Sequence, residues 1–183
     1  AGGAGGSAKS TLWGVWGDTP SDVWTVGGDL ASGGRTILRR WNGAAWSDVA
    51  VPGVSDRNLL KVWGSRAGDV YAVGDRGTVL HYDGQGWALE PTPVTDRLTT
   101  VFGGGEADVW AVGGLGTGLV LHRDARGWSQ VAVPADWPGV NGVWAAPGGG
   151  VHAVGYSGLV AFFDGTAWTR LARDRKSTRL NSS

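Results

Sequence analysis

One six-residue motif, written four times, constrains this chain more than any other feature of its sequence. It reads DVWTVG at 22–27, DVYAVG at 69–74, DVWAVG at 108–113 and GVHAVG at 150–155. A catalytic motif is normally needed once, whereas a structural unit that stacks on its own copies is written once per copy. The repetition therefore indicates a repeat architecture.

Four tryptophans fix the length of the repeat. Trp46, Trp87, Trp128 and Trp168 lie 41, 41 and 40 residues apart, and each follows an asparagine or aspartate by four residues. The longer spacing between the first two hexapeptides comes from an insertion, GDLASGG at 28–34. Insertions of this kind fall in loops and leave the stacked unit intact.

Within one copy, four short apolar runs alternate with turn residues. In the third copy these runs are LTTVFG at 98–103, DVWAVG at 108–113, GLVLHRD at 118–124 and GWSQVAV at 127–133. Valine, tryptophan, leucine and threonine favour strands, and no run reaches the length of a normal helix. The sequence predicts an all-β fold, a β-propeller with four consecutive four-stranded antiparallel blades.

The repeats also predict the domain organisation. Residues 1–10, AGGAGGSAKS, read as a glycine-rich linker. The last ten residues, DRKSTRLNSS at 174–183, resemble an in-frame translation of a common sequencing-library adapter and are interpreted as an artefact tail. Propellers commonly close with four to eight blades and the chain has no starting methionine, so an arc of a larger ring is expected. The repeats occupy 11–173, with blades at about 11–52, 58–92, 98–134 and 140–173.

Composition narrows the classes of function. The 183 residues have a formal net charge of zero at pH 7 and include 34 glycines, 12 tryptophans and no cysteine. A neutral chain lacks the basic footprint of nucleic-acid binders, and no apolar run approaches the ~20 residues of a membrane-spanning helix. Without cysteine there are no disulfides and no thiolate chemistry. We therefore expect no nucleic-acid partner and no insertion into a membrane.

Most of the tryptophans fall in columns of the repeat, which predicts that they pack between blades. Each buried aromatic side chain removes roughly 150–250 Å² from water. The nine column tryptophans are Trp16, Trp24, Trp46, Trp63, Trp87, Trp110, Trp128, Trp144 and Trp168.

Two other columns predict turns and strand ends. Asp22, Asp69 and Asp108 begin the second strand, where an aspartate can accept hydrogen bonds from nearby backbone N–H groups and fix a tight turn. The glycine that closes each hexapeptide predicts either a positive φ or a close approach of another backbone. These glycines are Gly27, Gly74, Gly113 and Gly155.

The three histidines give little support to a metal site. His81 and His122 occupy one column, but a whole blade separates them unless both face a central channel. His152 replaces a column tryptophan or tyrosine and is interpreted as a buried substitute. We therefore expect no metal and no cofactor.

The stretch VWGSRAGDVYAVGDRGTVLHYDGQGW at 62–87 resembles known propeller repeats. It looks like the repeats of many secreted proteins of high-GC bacteria and is similar to propellers of the photosystem II assembly-factor type. More distantly it resembles the bacterial neuraminidase repeat, or Asp-box, although YDGQGW places its aspartate four residues before the tryptophan instead of five. Over residues 11–173 the resemblance implies propeller architecture and an extracytoplasmic or secreted location.

Catalytic chemistry has little support in the sequence. A glycosidase needs two carboxylates facing one cleft, yet the two glutamates, Glu90 and Glu106, lie in different columns. The sequence has no nucleophile-elbow, zinc-protease or P-loop motif. We expect a scaffold without catalytic residues that binds a protein or a glycan. An Asp-box type, sialidase-like glycoside hydrolase, or its carbohydrate-binding propeller, stays open as the alternative.

The variable loops of one face predict the ligand site. If each copy runs from an inner to an outer strand, the second-to-third and fourth-to-first loops share that face. Within it, PADWPGV at 134–140 carries a tryptophan outside the columns, between two stiffening prolines. That ring is either a binding residue or a lid over the neighbouring blade. The predicted ligand-face residues are Asp29, Arg57, Asp75, Arg76, Arg97, Asp136, Trp137 and Tyr156.

Overall fold

The computed structural model describes residues 10–29, 35–51 and 53–171. These residues form four four-stranded sheets, and in each sheet every strand pairs antiparallel with the next strand along the chain. The prediction of an all-β chain with four consecutive antiparallel blades is confirmed. Of the predicted linker only Ser10 is described, and the predicted tail at 174–183 lies outside the described residues.

Each blade contributes four strands in chain order. Blade 1 contains β1 (Ser10–Thr19), β2 (Asp22–Asp29), β3 (Thr36–Trp41) and β4 (Trp46–Asp48). Blade 2 contains β5 (Leu59–Arg66), β6 (Asp69–Gly74), β7 (Val79–Tyr82) and β8 (Trp87–Glu90). Blade 3 contains β9 (Leu98–Gly105), β10 (Asp108–Gly113), β11 (Leu119–Asp124) and β12 (Gly127–Gln130). Blade 4 contains β13 (Val140–Ala145), β14 (Val151–Gly155), β15 (Leu159–Phe163) and β16 (Trp168–Arg170).

The strand bounds predicted for blade 3 are close to those observed. β10 has the predicted bounds, whereas β12 ends at Gln130 instead of continuing to residue 133. One further backbone hydrogen bond, from Val131 N–H to the Val120 carbonyl at 2.9 Å, follows the strand before the chain enters the next loop. Two three-residue 3₁₀ turns, Asp75–Gly77 and Tyr156–Gly158, join the second and third strands of blades 2 and 4.

Each pair of neighbouring blades shares one apolar core. We call the side of a blade that packs on the next blade its forward face, and the side that packs on the preceding blade its rear face. Between blades 1 and 2, the forward-face residues Trp24, Val26 and Leu38 pack with Val62 and Leu80 of the rear face. The equivalent residues between blades 2 and 3 are Tyr71, Val73, Val79, Val101 and Leu121. Those between blades 3 and 4 are Trp110, Val112, Val120, Val143 and Ala161.

The closing glycine of each hexapeptide is required by a close backbone approach. Gly74 pairs with Leu59, its φ is −172°, and a Cβ on it would overlap the carbonyl oxygen of Asn58. Because this φ is extended, the left-handed alternative does not apply. The same overlap with a carbonyl oxygen recurs at Gly27, Gly113 and Gly155.

The two outer faces of the row of blades are uncovered. Trp46 on the rear face of blade 1 is 48% exposed and Trp144 on the forward face of blade 4 is 49% exposed. The prediction that column tryptophans pack between blades is wrong for these two. His152 on the forward face of blade 4 is exposed, so its predicted burial is also wrong. The inner strands pack in sequence, β1 on β5, β5 on β9 and β9 on β13, and within the described residues no blade covers either outer face.

Candidate functional site

The loops predicted to form the ligand site meet on one face of the molecule. At three places a second-to-third turn is hydrogen-bonded to a fourth-to-first loop. Gly77 N–H donates to the Asp96 carbonyl at 2.7 Å, Gly118 N–H to the Trp137 carbonyl at 3.0 Å, and Tyr156 N–H to the Gly139 carbonyl at 3.0 Å. We call this surface the loop face. The three hydrogen bonds confirm that the second-to-third and fourth-to-first loops share one side of the blades.

Asp75 is the polar centre of the loop face. Its carboxylate accepts hydrogen bonds from Arg97 Nε at 2.7 Å and from Asn58 Nδ2 at 2.8 Å. Its own N–H donates to the Asn58 carbonyl at 2.9 Å. Asn58 directly precedes β5 and Arg97 directly precedes β9. One carboxylate therefore ties together the entries to two blades.

A left-handed turn presents Arg76. Its φ is 56° and that of Gly77 is 65°, so a non-glycine residue occupies a region in which L side chains are disfavoured. The guanidinium is largely exposed and donates to Asp56 Oδ2 at 2.8 Å. This hydrogen bond holds the pKa of Asp56 below its usual value. The turn therefore projects a cationic side chain from a rigid blade into solvent.

Three arginines from different loops gather at this place, and we call Arg57, Arg76 and Arg97 the arginine cluster. Arg57 Nη1 donates to Thr78 Oγ1 at 3.1 Å, and its Nε lies 3.8 Å from the Asp56 carboxylate. Asp56 and Asp75 balance part of the positive charge of the cluster. Since each guanidinium carries five N–H donors, the cluster keeps hydrogen-bond donors for a ligand.

The other predicted ligand-face residues divide into exposed and buried ones. Tyr156 is 53% exposed, and its ring lies beside Gly139. Asp136 is exposed on the loop between β12 and β13. Asp29 is buried, so it does not contribute to the ligand surface as predicted. The structure thus brings together Asp75 and the arginine cluster and adds Tyr156 farther along the same face.

Trp137 is a lid and not a surface residue. Its side chain is 2% exposed and lies in the core between blades 3 and 4, with its ring centroid 5.1 Å from that of Trp168 in an edge-to-face arrangement. Trp137 N–H donates to the Pro134 carbonyl at 3.0 Å, and this tight turn directs the ring inward. Of the two sequence interpretations the lid is correct, which removes Trp137 from the ligand-face residues.

The aspartates that begin the second strands pair with side chains of the third strand. The pairs are Asp22 with Arg40 at 2.7 Å, Asp69 with His81 at 2.7 Å and Asp108 with His122 at 2.8 Å. The third-strand partner also stacks on an aromatic ring of the second strand, as His81 does on Tyr71 with centroids 4.2 Å apart. The register places Arg40, His81 and His122 opposite Trp24, Tyr71 and Trp110, so each partner reaches diagonally to the aspartate two residues earlier. The predicted backbone-turn role is corrected to a side-chain pairing between the second and third strands.

A second polar cluster, centred on Glu90, lies between blades 2 and 3. The carboxylate accepts from Arg123 Nη2 at 3.0 Å and from Trp128 Nε1 at 2.5 Å, and it lies 3.2 Å from His81 Nδ1. Burial alone would raise the pKa of Glu90, but these three partners outweigh burial and lower the pKa to about 2. Burial also opposes protonation of His81, yet hydrogen bonds to Glu90 and Asp69 raise its pKa above the usual value.

Ser65, Asp69 and His81 contain the residue types of a catalytic triad in a different order. Ser65 Oγ donates to Asp69 Oδ2 at 2.5 Å, and His81 Nε2 lies 2.7 Å from Asp69 Oδ1. In a serine hydrolase the histidine lies between the two and takes the serine proton, whereas here the carboxylate lies between them. This geometry does not activate Ser65 as a nucleophile.

Metal-binding clusters and membrane-spanning helices are both absent from the part of the chain that the structure describes. It contains no group of three or more histidine, cysteine, aspartate or glutamate side chains arranged to hold a metal ion. It also contains no helix of the length and hydrophobicity needed to cross a membrane.

Asn58 and Asp56 are loop-face residues that the sequence analysis did not identify. Asn58 occupies the position just before a first strand, which in the next repeat is held by Arg97. This shared position could have identified Asn58 as a loop-face residue from the sequence. No equivalent position identifies Asp56 in the sequence. Its role depends on the hydrogen bond from Arg76, which forms only because the folded turn directs that side chain toward Asp56.

No protein-family model matches the chain, and no curated protein sequence matches it. Solved structures match it in fold. YCF48 bound to a D1 peptide has a TM-score of 0.64 and 19% identity, over 88% of this chain and 54% of that chain. YCF48 from Cyanidioschyzon merolae has a TM-score of 0.65 and 16% identity, over 92% of this chain and 58% of that chain. The lectin of Aleuria aurantia in complex with α-methyl-L-fucoside has a TM-score of 0.51 and 17% identity, over 90% of this chain and 63% of that chain.

All three structures are β-propellers. The chain has the β-propeller fold. At these identities the likeness concerns the fold alone. The propeller described here spans 54–58% of the length of the two YCF48 structures.

Proposed function

We propose that this propeller is a non-catalytic scaffold that binds a peptide segment of a protein partner across its loop face. The observation that supports it most is the assembly of Arg57, Arg76 and Arg97 around Asp75, with Tyr156 on the same side. The proposal includes the extracytoplasmic or secreted location that the sequence resemblance implies.

The chemistry of the loop face suits an extended peptide. Guanidinium groups donate to backbone carbonyls and carboxylates with fixed geometry, and an exposed tyrosine offers apolar area together with a hydroxyl. The turn and loop backbones that carry these groups are hydrogen-bonded to one another. Such preorganisation lowers the ordering cost of binding. One of the structures with the same fold is described as bound to a peptide.

A sialidase-like activity and glycan binding both have weaker support than peptide binding. A sialidase-like reaction needs free carboxylates on one cleft, but Glu90 is bound to Arg123 and Trp128, and Glu106 pairs with Arg66. A glycan ligand has the fucoside complex of the lectin in its favour, which is a likeness of fold. Glycan binding is therefore an alternative outcome of the experiment below.

Arg76→Gly is expected to weaken peptide binding about tenfold, which corresponds to about 1.4 kcal/mol, while thermal stability is unchanged or raised. The substitution removes an exposed guanidinium from the ligand surface and also relieves a left-handed φ that glycine adopts freely. A 15-residue peptide selected from a random display library is the probe. Its dissociation constant is measured by fluorescence polarisation beside a thermal melt, and a glycan array is screened in parallel.

Ser157→Gly is the matched control. Ser157 has φ 53° in the equivalent turn of blade 4, so the same backbone relief occurs without loss of a cation. Its affinity for the peptide should equal that of the unmodified chain. Equal affinities of all three proteins, or binding found only on the glycan array, would contradict the peptide proposal.

A further inference from the structure

The forward face of blade 4 is an apolar sheet surface that faces solvent. Val154 of β14 is 47% exposed and Val160 of β15 is 38% exposed, and these two residues pair across the strands. Trp144 of β13 is 49% exposed beside them. Apolar surface concentrated on one sheet face is typical of an interface.

The same positions are covered wherever a blade has a following neighbour. The residues equivalent to Val154 are Val26, Val73 and Val112, and those equivalent to Val160 are Leu38, Val79 and Val120, by the strand registers. All six are buried against the next blade. The exposure in blade 4 therefore marks a surface whose covered form already occurs three times in this molecule.

The rear face of blade 1 is the matching half of that interface. Val15 is 65% exposed, while its equivalents Val62, Val101 and Val143 are buried against the preceding blade. Trp46 is exposed where its equivalent Trp87 is buried. One chain thus carries both halves of a contact that it does not complete within the described residues.

Aromatic pairs show how the two halves would fit. At each covered interface a second-strand ring of one blade meets an aromatic ring of the next blade. The centroid distances are 5.1 Å for Trp24 and Trp87, 6.2 Å for Tyr71 and Trp128, and 5.7 Å for Trp110 and Phe163. The counterparts on the outer faces are the exposed His152 in blade 4 and, in blade 1, the half-buried Trp41 with the exposed Trp46.

Polar contacts join the inner strands of blades 3 and 4. Thr99 Oγ1 of β9 donates to the Val140 carbonyl of β13 at 2.9 Å and thereby joins blades 3 and 4. Asn141 occupies the Thr99 position in blade 4 and is exposed. Leu12 occupies the Val140 position in blade 1. An amide donor and a carbonyl acceptor are thus present on the two uncovered faces.

We propose that the forward face of blade 4 binds the rear face of blade 1 of a second copy of this chain. The contact is head-to-tail, because the two faces are different surfaces, and it repeats the geometry by which blades 1 to 4 pack within one chain. A heterologous contact of this kind builds closed rings or open chains of copies. The inference is independent of the proposed peptide site, which lies on the loop face.

The experiment uses two charge variants of the full chain and a mixture of them. Val154→Lys with Val160→Lys disables the forward face of blade 4, and Val15→Lys disables the rear face of blade 1. Sedimentation velocity is measured at protein concentrations of roughly 1 to 100 µM, the range of ordinary protein association. The average mass of the unmodified chain should rise with concentration. Each variant alone should stay monomeric, and the two mixed should form a dimer and no larger species, since each keeps one intact face.

A control variant tests whether a new surface lysine by itself reduces association. Leu89→Lys changes an exposed leucine of blade 2, 43% exposed and away from both outer faces, and should associate like the unmodified chain. Thermal melts check that all variants remain folded, as expected for exposed positions. A monomeric unmodified chain would overturn the proposal. Association abolished only by the blade 4 variant, with Val15→Lys still dimeric on its own, would indicate a symmetric contact and overturn the head-to-tail arrangement.

Discussion

Trp137→Ala is expected to lower the free energy of unfolding by about 3 to 5 kcal/mol, the range for deleting a buried tryptophan side chain. The ring is 2% exposed and fills the core between blades 3 and 4 against Trp168. Its removal leaves a cavity that the surrounding strands cannot close, because their hydrogen-bond registers fix their positions. Urea unfolding followed by tryptophan fluorescence and circular dichroism measures the loss.

Trp144→Ala is the control for that experiment. Trp144 has a column position but is 49% exposed, and no blade among the described residues covers it. At concentrations where the chain is monomeric, its truncation should therefore lower stability by less than about 1 kcal/mol. The lid interpretation would be overturned if Trp137→Ala unfolded like the unmodified chain and lost affinity for the selected peptide. In that case the ring would belong to the ligand surface.

Glu90→Gln is expected to lower stability by about 2 to 4 kcal/mol, since removing one partner of a largely buried ion pair leaves the other charge uncompensated. Arg123 and His81 would both lose their carboxylate, and Trp128 Nε1 would lose a charged acceptor. Glu106→Gln is the matched control, because the Glu106–Arg66 pair is exposed and such pairs contribute little. Chemical unfolding should show no measurable change for that control.

The effect of Glu90→Gln should depend on pH in a defined direction. The lowered pKa of Glu90 contributes stability that is present above its ordinary value of 4.5 and lost as the pH falls toward about 2. The raised pKa of His81 contributes stability that is present below its ordinary value of 6.5 and lost as the pH rises through the value of the folded protein. The stability difference between the unmodified chain and the variant should therefore be largest between about pH 4.5 and 6.5.

Two measurements check this pH dependence. Unfolding series at several pH values give the stability difference directly, and NMR titration of His81 should show a lower pKa in Glu90→Gln than in the unmodified chain. A difference that increases steadily from pH 5 to pH 2 would contradict the assigned role of the carboxylate. An unchanged His81 pKa would show that Asp69 alone sustains the protonated imidazole.

The sequence predicted the blades because their pattern is local. Strand-forming runs, glycine turns and the regular tryptophan spacing all act within about 40 residues, the length of one propeller repeat. At Gly74 the sequence predicted the residue type that the position needs but not the physical reason for it. Its column indicated that glycine was required, but only the pairing with Leu59 and the nearby Asn58 carbonyl decided between close approach and a left-handed φ.

The candidate site could be located from the sequence only as a set of loops. Asp75 and the arginine cluster were predicted as separate loop residues, and the structure joins them. Glu90 gave no sequence signal, because its partners Arg123 and Trp128 are 33 and 38 residues away. Contacts at such separations depend on how one blade is placed on the next, which no local pattern specifies.

By itself the sequence determined that this chain folds into four antiparallel blades, since strand formation and turns follow from neighbouring residues. Only the tertiary structure decided which aromatic rings are buried. Trp137 lies outside the columns and is covered, whereas Trp46 and Trp144 lie in the columns and are exposed. The physical reason is that a blade determines its own strand pairing, but the burial of its faces depends on whether another blade packs against them.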